Sequence, residues 1–293
     1  MLRRATPTSA DCSESSVLLK RAFPVHQQEV LSLVGAGGKT TTMFRLADEL
    51  ASQGWRAIAT TTTMIWQEQA REPLIVDAHT NRIIDRVQAT LSDHHQVTVA
   101  AGVDEARRKL IGLQPSVVDA LSALPEVDAV IVEADGAKGR SLKAPADHEP
   151  VIPSTTTLLV PVAAVDALGQ PLDERLVHRP EIVSRLAGVE LGALITPALM
   201  STLLLHPLGG LKAAPGRARI VPLLNKVQNT YVDSAREVAT SLLEEPRVDR
   251  VLLAAVAEED PVKEVWGRVG AVVLAAGGSR RFGSPKQLLP WEG

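Results

Sequence analysis

Apolar and polar positions along the chain switch repeatedly between a strand period and a helix period. Val30–Val34 is apolar except for Ser32 and runs into glycines. From Thr40 to Gln53 the residues Met43, Leu46, Ala47 and Leu50 then recur at helical spacing, with Gly54 as a stop. Trp55–Ala59, Leu74–Val76 and Val97–Ala100 predict further strands. Between the last two, Asn81–Leu91 sets Ile83, Ile84, Val87 and Leu91 on one helical face. Val117–Leu124 predicts a helix, and Ala129–Val132 is a four-residue apolar run suited to a strand buried on both faces. The second half continues with strands at Leu158–Val165, Ile220–Leu224 and Val251–Val256, and helices at Glu181–Leu186, Ala198–Leu205 and Val232–Leu243. Such alternation predicts an α/β fold with a mostly parallel sheet and helices on both faces.

Glu258-Glu259-Asp260-Pro261 closes this series, and a new strand-and-glycine pattern begins at Val269. The expected organisation is a loose polar tail over 1–17, a main domain over 18–262, and a C-terminal fragment of a second α/β domain over 268–293. The 293 residues are 45% hydrophobic and 22% charged, which excludes a mainly disordered chain. A net charge of -3 and few aromatics (Trp 4, Tyr 1, Phe 3) argue against a nucleic-acid partner, whose ligand would call for a basic face or a stacking platform. Cys12 is the one cysteine, so no disulfide framework forms within the chain, and a reducing, cytoplasmic location is expected. No apolar run approaches the roughly 18 residues of a membrane span.

The strongest chemical signal is Leu31-Ser32-Leu33-Val34-Gly35-Ala36-Gly37-Gly38-Lys39-Thr40-Thr41. A strand enters a glycine loop, and Lys-Thr-Thr opens a helix. This P-loop-like arrangement turns backbone N–H groups and the positive end of a helix toward phosphate. Gly35, Ala36, Gly37, Gly38, Lys39, Thr40 and Thr41 are therefore the expected nucleotide-binding residues, with Lys39 reaching the terminal phosphates and the Thr40 hydroxyl on Mg²⁺. The loop is shorter than the full G-x-x-x-x-G-K-[ST] pattern, since Leu33 stands where its first glycine would be. Such short loops resemble those of Mur-type peptide ligases and folylpolyglutamate synthases.

A phosphate loop needs a carboxylate at the end of a neighbouring strand. Ala129-Val130-Ile131-Val132-Glu133-Ala134-Asp135-Gly136 supplies two. Glu133 is the expected Mg²⁺ ligand, and Asp135 would hold the ion or orient a water. Thr60–Thr63 end the second strand, either reaching the ion or phosphate or merely finishing the strand. Lys138, Arg140 and Lys143 form a basic loop that either neutralises phosphate charge or is solvated. Asp147-His148-Glu149 and His178-Arg179 fit no zinc spacing and read as loop residues near a substrate. Asn225-Lys226-Val227-Gln228 is similar to the Asn-Lys-x-Asp guanine-reading motif of GTPases, but Gln228 replaces its aspartate, so Asn225 and Lys226 are expected to flank a base without fixing guanine.

As a set, these blocks resemble the YqeC family, accessory proteins for selenium-dependent molybdenum hydroxylases. The carrying residues are Gly35–Thr41, Thr60–Thr63, Glu133–Gly139, His148-Glu149-Pro150, His178-Arg179-Pro180 and Asn225-Lys226, across about Leu18 to Val262. The C-terminal stretch Val272–Pro290 is similar to the opening of MobA/MocA-like molybdenum cofactor nucleotidyltransferases. That resemblance implies a nucleotide loop at Gly277 with phosphate or base contacts from Arg281 and Lys286. Only the first strand and loop of that domain are present, so no nucleotidyl transfer is expected from this chain, although a complete fusion would be a molybdenum cofactor cytidylyltransferase.

The motifs lead to a P-loop NTPase using ATP or another NTP with Mg²⁺, which both resemblances tie to molybdenum cofactor handling. Lys39, Glu133 and Asp135 would carry the chemistry, and molybdopterin or a molybdenum hydroxylase apoprotein would be the partner. A nucleotide-dependent switch or cofactor-insertion chaperone, and an ATP-dependent ligase, are the alternatives.

Overall fold

The computed structural model describes residues 18–268. The tail over 1–17 and the nucleotidyltransferase-like stretch, including Gly277, Arg281 and Lys286, lie outside the described residues.

One ten-stranded sheet organises the chain. Its strands are β1 (Glu29–Gly35), β2 (Ala57–Thr61), β3 (Leu74–Val76), β4 (Gln96–Ala100), β5 (Ala129–Glu133), β6 (Leu158–Ala164), β7 (Leu223–Asn225), β8 (Arg250–Ala254) and β9 (Val262–Gly267), plus the two-residue Arg219–Ile220 beside β6. The order is β9-β8-β7-β6-β1-β5-β2-β4-β3. Every pairing is parallel except β9 on β8. The α/β expectation holds, with the strand that leads into the glycine loop at the centre of the sheet.

Successive residues of a strand face opposite sides, so a strand covered on both faces must be apolar throughout. β1 does this: Leu31 and Leu33 pack into one core while Val30 and Val34 pack into the other. The first core is closed by α1 (Leu19–Ala22) and by α2 (Lys39–Ser52) through Met43, Phe44, Leu46, Ala47 and Leu50. The second is closed by α3 (Thr80–Asp93), α4 (Pro115–Ser122), α5 (Pro180–Ala187), α6 (Pro197–Leu205) and α7 (Val232–Leu242).

Three features depart from the pattern reading. The run Ile220–Leu224 is not one strand; it breaks into Arg219–Ile220 and β7, with Val221-Pro222 between them. Proline has no N–H for the ladder. The sheet also continues past Val262, because β9 pairs antiparallel along β8 through Gly267. Finally, Met64–Trp66, Gly102–Asp104 and Lys109–Ile111 form a separate three-stranded antiparallel sheet that the pattern does not announce.

Candidate functional site

The glycine loop sits at the carboxyl end of β1, where ligands bind in open α/β sheets. Its glycines are demanded by close packing. Gly35 has φ +93°, and a Cβ there would lie 2.4 Å from the Val162 carbonyl oxygen of β6. Gly38 has φ +128°, and a Cβ would lie 2.1 Å from Asn225 Nδ2. No side chain caps α2, which begins at Lys39. Its first-turn amides therefore have no acceptor within the helix and remain available to an anion.

β5 lies beside β1 with Glu133 opposite Leu33, which brings the acid to the loop. The Thr40 hydroxyl donates to Glu133 Oε2 at 2.6 Å. Lys39 is only 3% exposed. Its Nζ donates to the Gly35 carbonyl at 2.6 Å and lies 3.2 Å from Asp135 Oδ1 and 3.7 Å from Glu133 Oε1. Burial disfavours the Lys39 charge, but Asp135 and Glu133 outweigh it and hold its pKa above the ordinary lysine value. Burial pushes the Glu133 carboxyl up, against the pull of Lys39 and Thr40.

Asp135 is buried on the far side of this lysine. Its Oδ2 accepts from the Gly35 N–H at 3.0 Å and meets Lys143 Nζ at 3.0 Å. Its Oδ1, although close to Lys39, receives no aligned hydrogen bond. Through these contacts Asp135 holds Lys39 and the Gly35 N–H together. Lys143 is not the solvated residue of a basic loop. Its side chain is 0% exposed, and it bonds Glu149 Oε2 at 2.8 Å and the Gly136 carbonyl at 2.7 Å. Glu149 also accepts from Arg179 at 2.7 Å. Burial would raise the Glu149 pKa, but the Lys143 and Arg179 bonds prevail and hold it at about 2. A continuous chain of alternating charge thus runs Lys39–Asp135–Lys143–Glu149–Arg179.

A cavity of about 740 Å³ opens over the loop. It brings together Gly37, Gly38, Lys39, Thr40, Thr41, Glu133 and Lys226 from the expected nucleotide set, and adds Lys138, Arg140, Glu149, His178 and Arg179. Gly35 and Ala36 lie behind it, and the Ala36 N–H is tied to Val162 O.

Asn225 also lies behind it. The side chain is buried, Nδ2 donates to the Gly37 carbonyl at 2.7 Å, and Oδ1 accepts from the Val256 N–H at 3.0 Å. Both ends of the amide are occupied by backbone, so the expected contact with a base gives way to a brace on the loop. Lys226 pairs with Asp166 at 2.8 Å. The threonine run divides: the Thr60, Thr61 and Thr62 hydroxyls donate to the carbonyls of Val99, Glu133 and Val151, and only Thr63 lines the cavity.

Met64, Trp66 and Lys109 are cavity residues that the sequence reading missed. The short alternation Met64-Ile65-Trp66 after the threonines was the available signal, with Ile65 buried and its neighbours exposed.

Thr40 and Glu133 form a hard-oxygen donor pair of the kind Mg²⁺ takes when phosphate oxygens complete its shell. Among the described residues, no group of three or more His, Cys, Asp or Glu converges on a metal position, and no helix is long and apolar enough to cross a membrane.

Known proteins bear on this arrangement. The chain is 29% identical over 234 residues to the uncharacterized protein YqeC of Escherichia coli (strain K12), covering 80% of this chain and 90% of that protein. Among solved structures, chloroplast FtsY from Physcomitrella patens superposes with a TM-score of 0.39 at 13% identity, over 85% of this chain and 70% of that one. The YqeC protein family model matches residues 31–181, from the strand before the glycine loop to the start of α5. With its loop, acid strand and His178-Arg179 all inside that match, the chain belongs to the YqeC family.

Proposed function

We propose that the protein binds a Mg-nucleoside triphosphate, ATP or another NTP, at the Gly37–Thr41 loop and hydrolyses it in the maturation of molybdenum-cofactor-dependent hydroxylases. The observation that carries the phosphate chemistry is the buried Lys39 ammonium at the uncapped start of α2, beside a Thr40–Glu133 pair. The molybdenum hydroxylase role rests on the family resemblance alone, with molybdopterin or the hydroxylase apoprotein as the partner.

In this reading Lys39 leaves the Gly35 carbonyl for the terminal phosphate, and the first-turn amides of α2 share the remaining charge. Thr40 and Glu133 would hold Mg²⁺, which neutralises developing phosphate charge when bound. Catalysis is mostly positioning and electrostatic stabilisation. Asp135 acts as a positioning residue through Lys39 and the Gly35 N–H. Titration calorimetry with Mg-ATP and Mg-GTP tests the reading. Lys39→Ala is expected to weaken the better nucleotide at least tenfold, about 1.4 kcal/mol, and unchanged affinity would sink it.

The charge chain from Lys39 to Arg179 favours a second reading, a nucleotide-dependent switch. Moving Lys39 to phosphate takes a partner from Asp135 at one end of that chain. Phosphate release limited to a single turnover would favour the switch, and repeated turnover the NTPase.

A further inference from the structure

The cavity carries cations that lie outside the glycine loop and its acids. Lys39 is matched by Glu133 and Asp135, and Lys226 by Asp166. Lys138 and Arg140 also line the cavity, yet among the described residues neither has a carboxylate within 4.0 Å. Arg140 spends one N–H on the Arg175 carbonyl, and Arg179 divides Nη1 between Glu149 and the Ala144 carbonyl.

The backbone invests in this wall as well. Lys138 (φ 49°) and Arg179 (φ 64°) both occupy the left-handed region that side chains other than glycine rarely adopt, and such strain collects at ligand sites. His178, between them in the cavity wall, is depressed to about 4, first by burial and then by Arg179, Lys143 and Lys138. Arg179, Lys143 and Lys138 thus all act on this ring, with Glu149 opposing them.

The same cavity is also lined by large apolar side chains. Met64 and Trp66 are exposed, Trp66 by 50%, and they share a face of the small antiparallel sheet because Ile65 between them is buried. Lys109 Nζ lies 4.6 Å from the Trp66 ring centroid. Half-exposed Trp beside a cation suits the flat apolar body of an anionic molecule.

We propose that this wall is a second ligand subsite. Lys138, Arg140, His178 and Arg179 take the oxyanion group, phosphate or carboxylate, of a small molecule that binds beside the nucleotide, with its apolar body against Met64 and Trp66. The nucleotide half of this statement rests on the function proposed above; the basic wall does not.

The test uses 1-naphthyl phosphate as the probe, titrated by fluorescence into the full chain saturated with Mg²⁺ and β,γ-imido-ATP. Binding should persist in the nucleotide-loaded protein. Lys138→Gln with Arg140→Gln leaves the buried charge chain intact, and should weaken the probe at least tenfold while Mg-nucleotide affinity changes less than threefold. Trp66→Ala should reduce probe affinity toward that of inorganic phosphate. Strict competition between probe and nucleotide, or an equal loss of both in the double variant, would assign the wall to the nucleotide site and overturn the proposal. A wild-type chain that binds the probe through Lys138 and Arg140 but binds no nucleotide would sink the nucleotide reading while keeping the subsite.

Discussion

Replacing Lys143 with methionine keeps the length and apolar stem of the side chain and removes one charge. That charge is fully buried and serves Asp135 Oδ2 at 3.0 Å, Glu149 Oε2 at 2.8 Å and the Gly136 carbonyl at 2.7 Å. Removing one partner of a buried pair costs about 3–5 kcal/mol, because the other charge stays out of water without compensation. Here two carboxylates lose their common cation, although Asp135 keeps the Gly35 N–H and Glu149 keeps Arg179. We therefore expect Lys143→Met to lose about 4 kcal/mol in urea unfolding at pH 7. At roughly 2–4 °C per kcal/mol for a domain of this size, the melting temperature should drop by about 10 °C. The loss should shrink on acidification from pH 7 to pH 5. Glu149, freed of Lys143, can take up a proton that the wild-type site refuses, and neutralisation removes part of the penalty. A loss under about 1 kcal/mol, or one independent of pH, would refute the account of Lys143 as the keystone of the charge chain.

Further expectations concern the metal, pH and the chain's edge. Glu133→Gln should weaken the Mg²⁺ dependence of nucleotide binding more than Asp135→Asn, because only Glu133 faces the cavity and bonds Thr40; the reverse order in calorimetry would reassign the ligand. Glu149 is held at about 2 against an unfolded value near 4.5, so its contribution is fully present above pH 4.5 and is lost as pH falls toward 2. His178 is held at about 4 against 6.5. Because the folded state resists its protonation, stability is lost from about pH 6.5 down to 4, and His178→Gln should flatten that part of the unfolding profile while leaving the part below pH 4. Ending the chain after Arg268 should keep nucleotide binding, whereas ending it after Asp260 removes β9 from β8 and should lower the melting temperature by several degrees.

The meeting of the glycine loop with Glu133 is legible in the sequence because its signals are local: Gly35–Thr41 and Ala129–Asp135 each end an apolar strand within a dozen residues. Lys143 was not legible, since a lysine in a glycine-rich stretch is ordinarily solvated, and its burial depends on Asp135 and on Glu149 folded back upon it. Asn225 looked like a base reader because the Asn-Lys pair ends a strand. Its true partners, Gly37 and Val256, are 188 and 31 residues away in sequence. The small sheet carrying Trp66 was missed for a related reason. Three-residue strands have too few positions to show a period, and their pairing is set by distant partners. β9 alternates half-buried with exposed residues, but its charged positions hid it beside the acidic turn before it.

The single amide of Asn225 makes the glycine loop answerable to a stretch of chain beyond the residues that the family model matches. The match ends at residue 181, whereas the clamp on Gly37 is supplied from the end of β7 and is itself anchored to the strand-end segment after β8. The end of β7 thus acts as a gauge block for the loop, fixing Gly37 from a position 188 residues away in sequence.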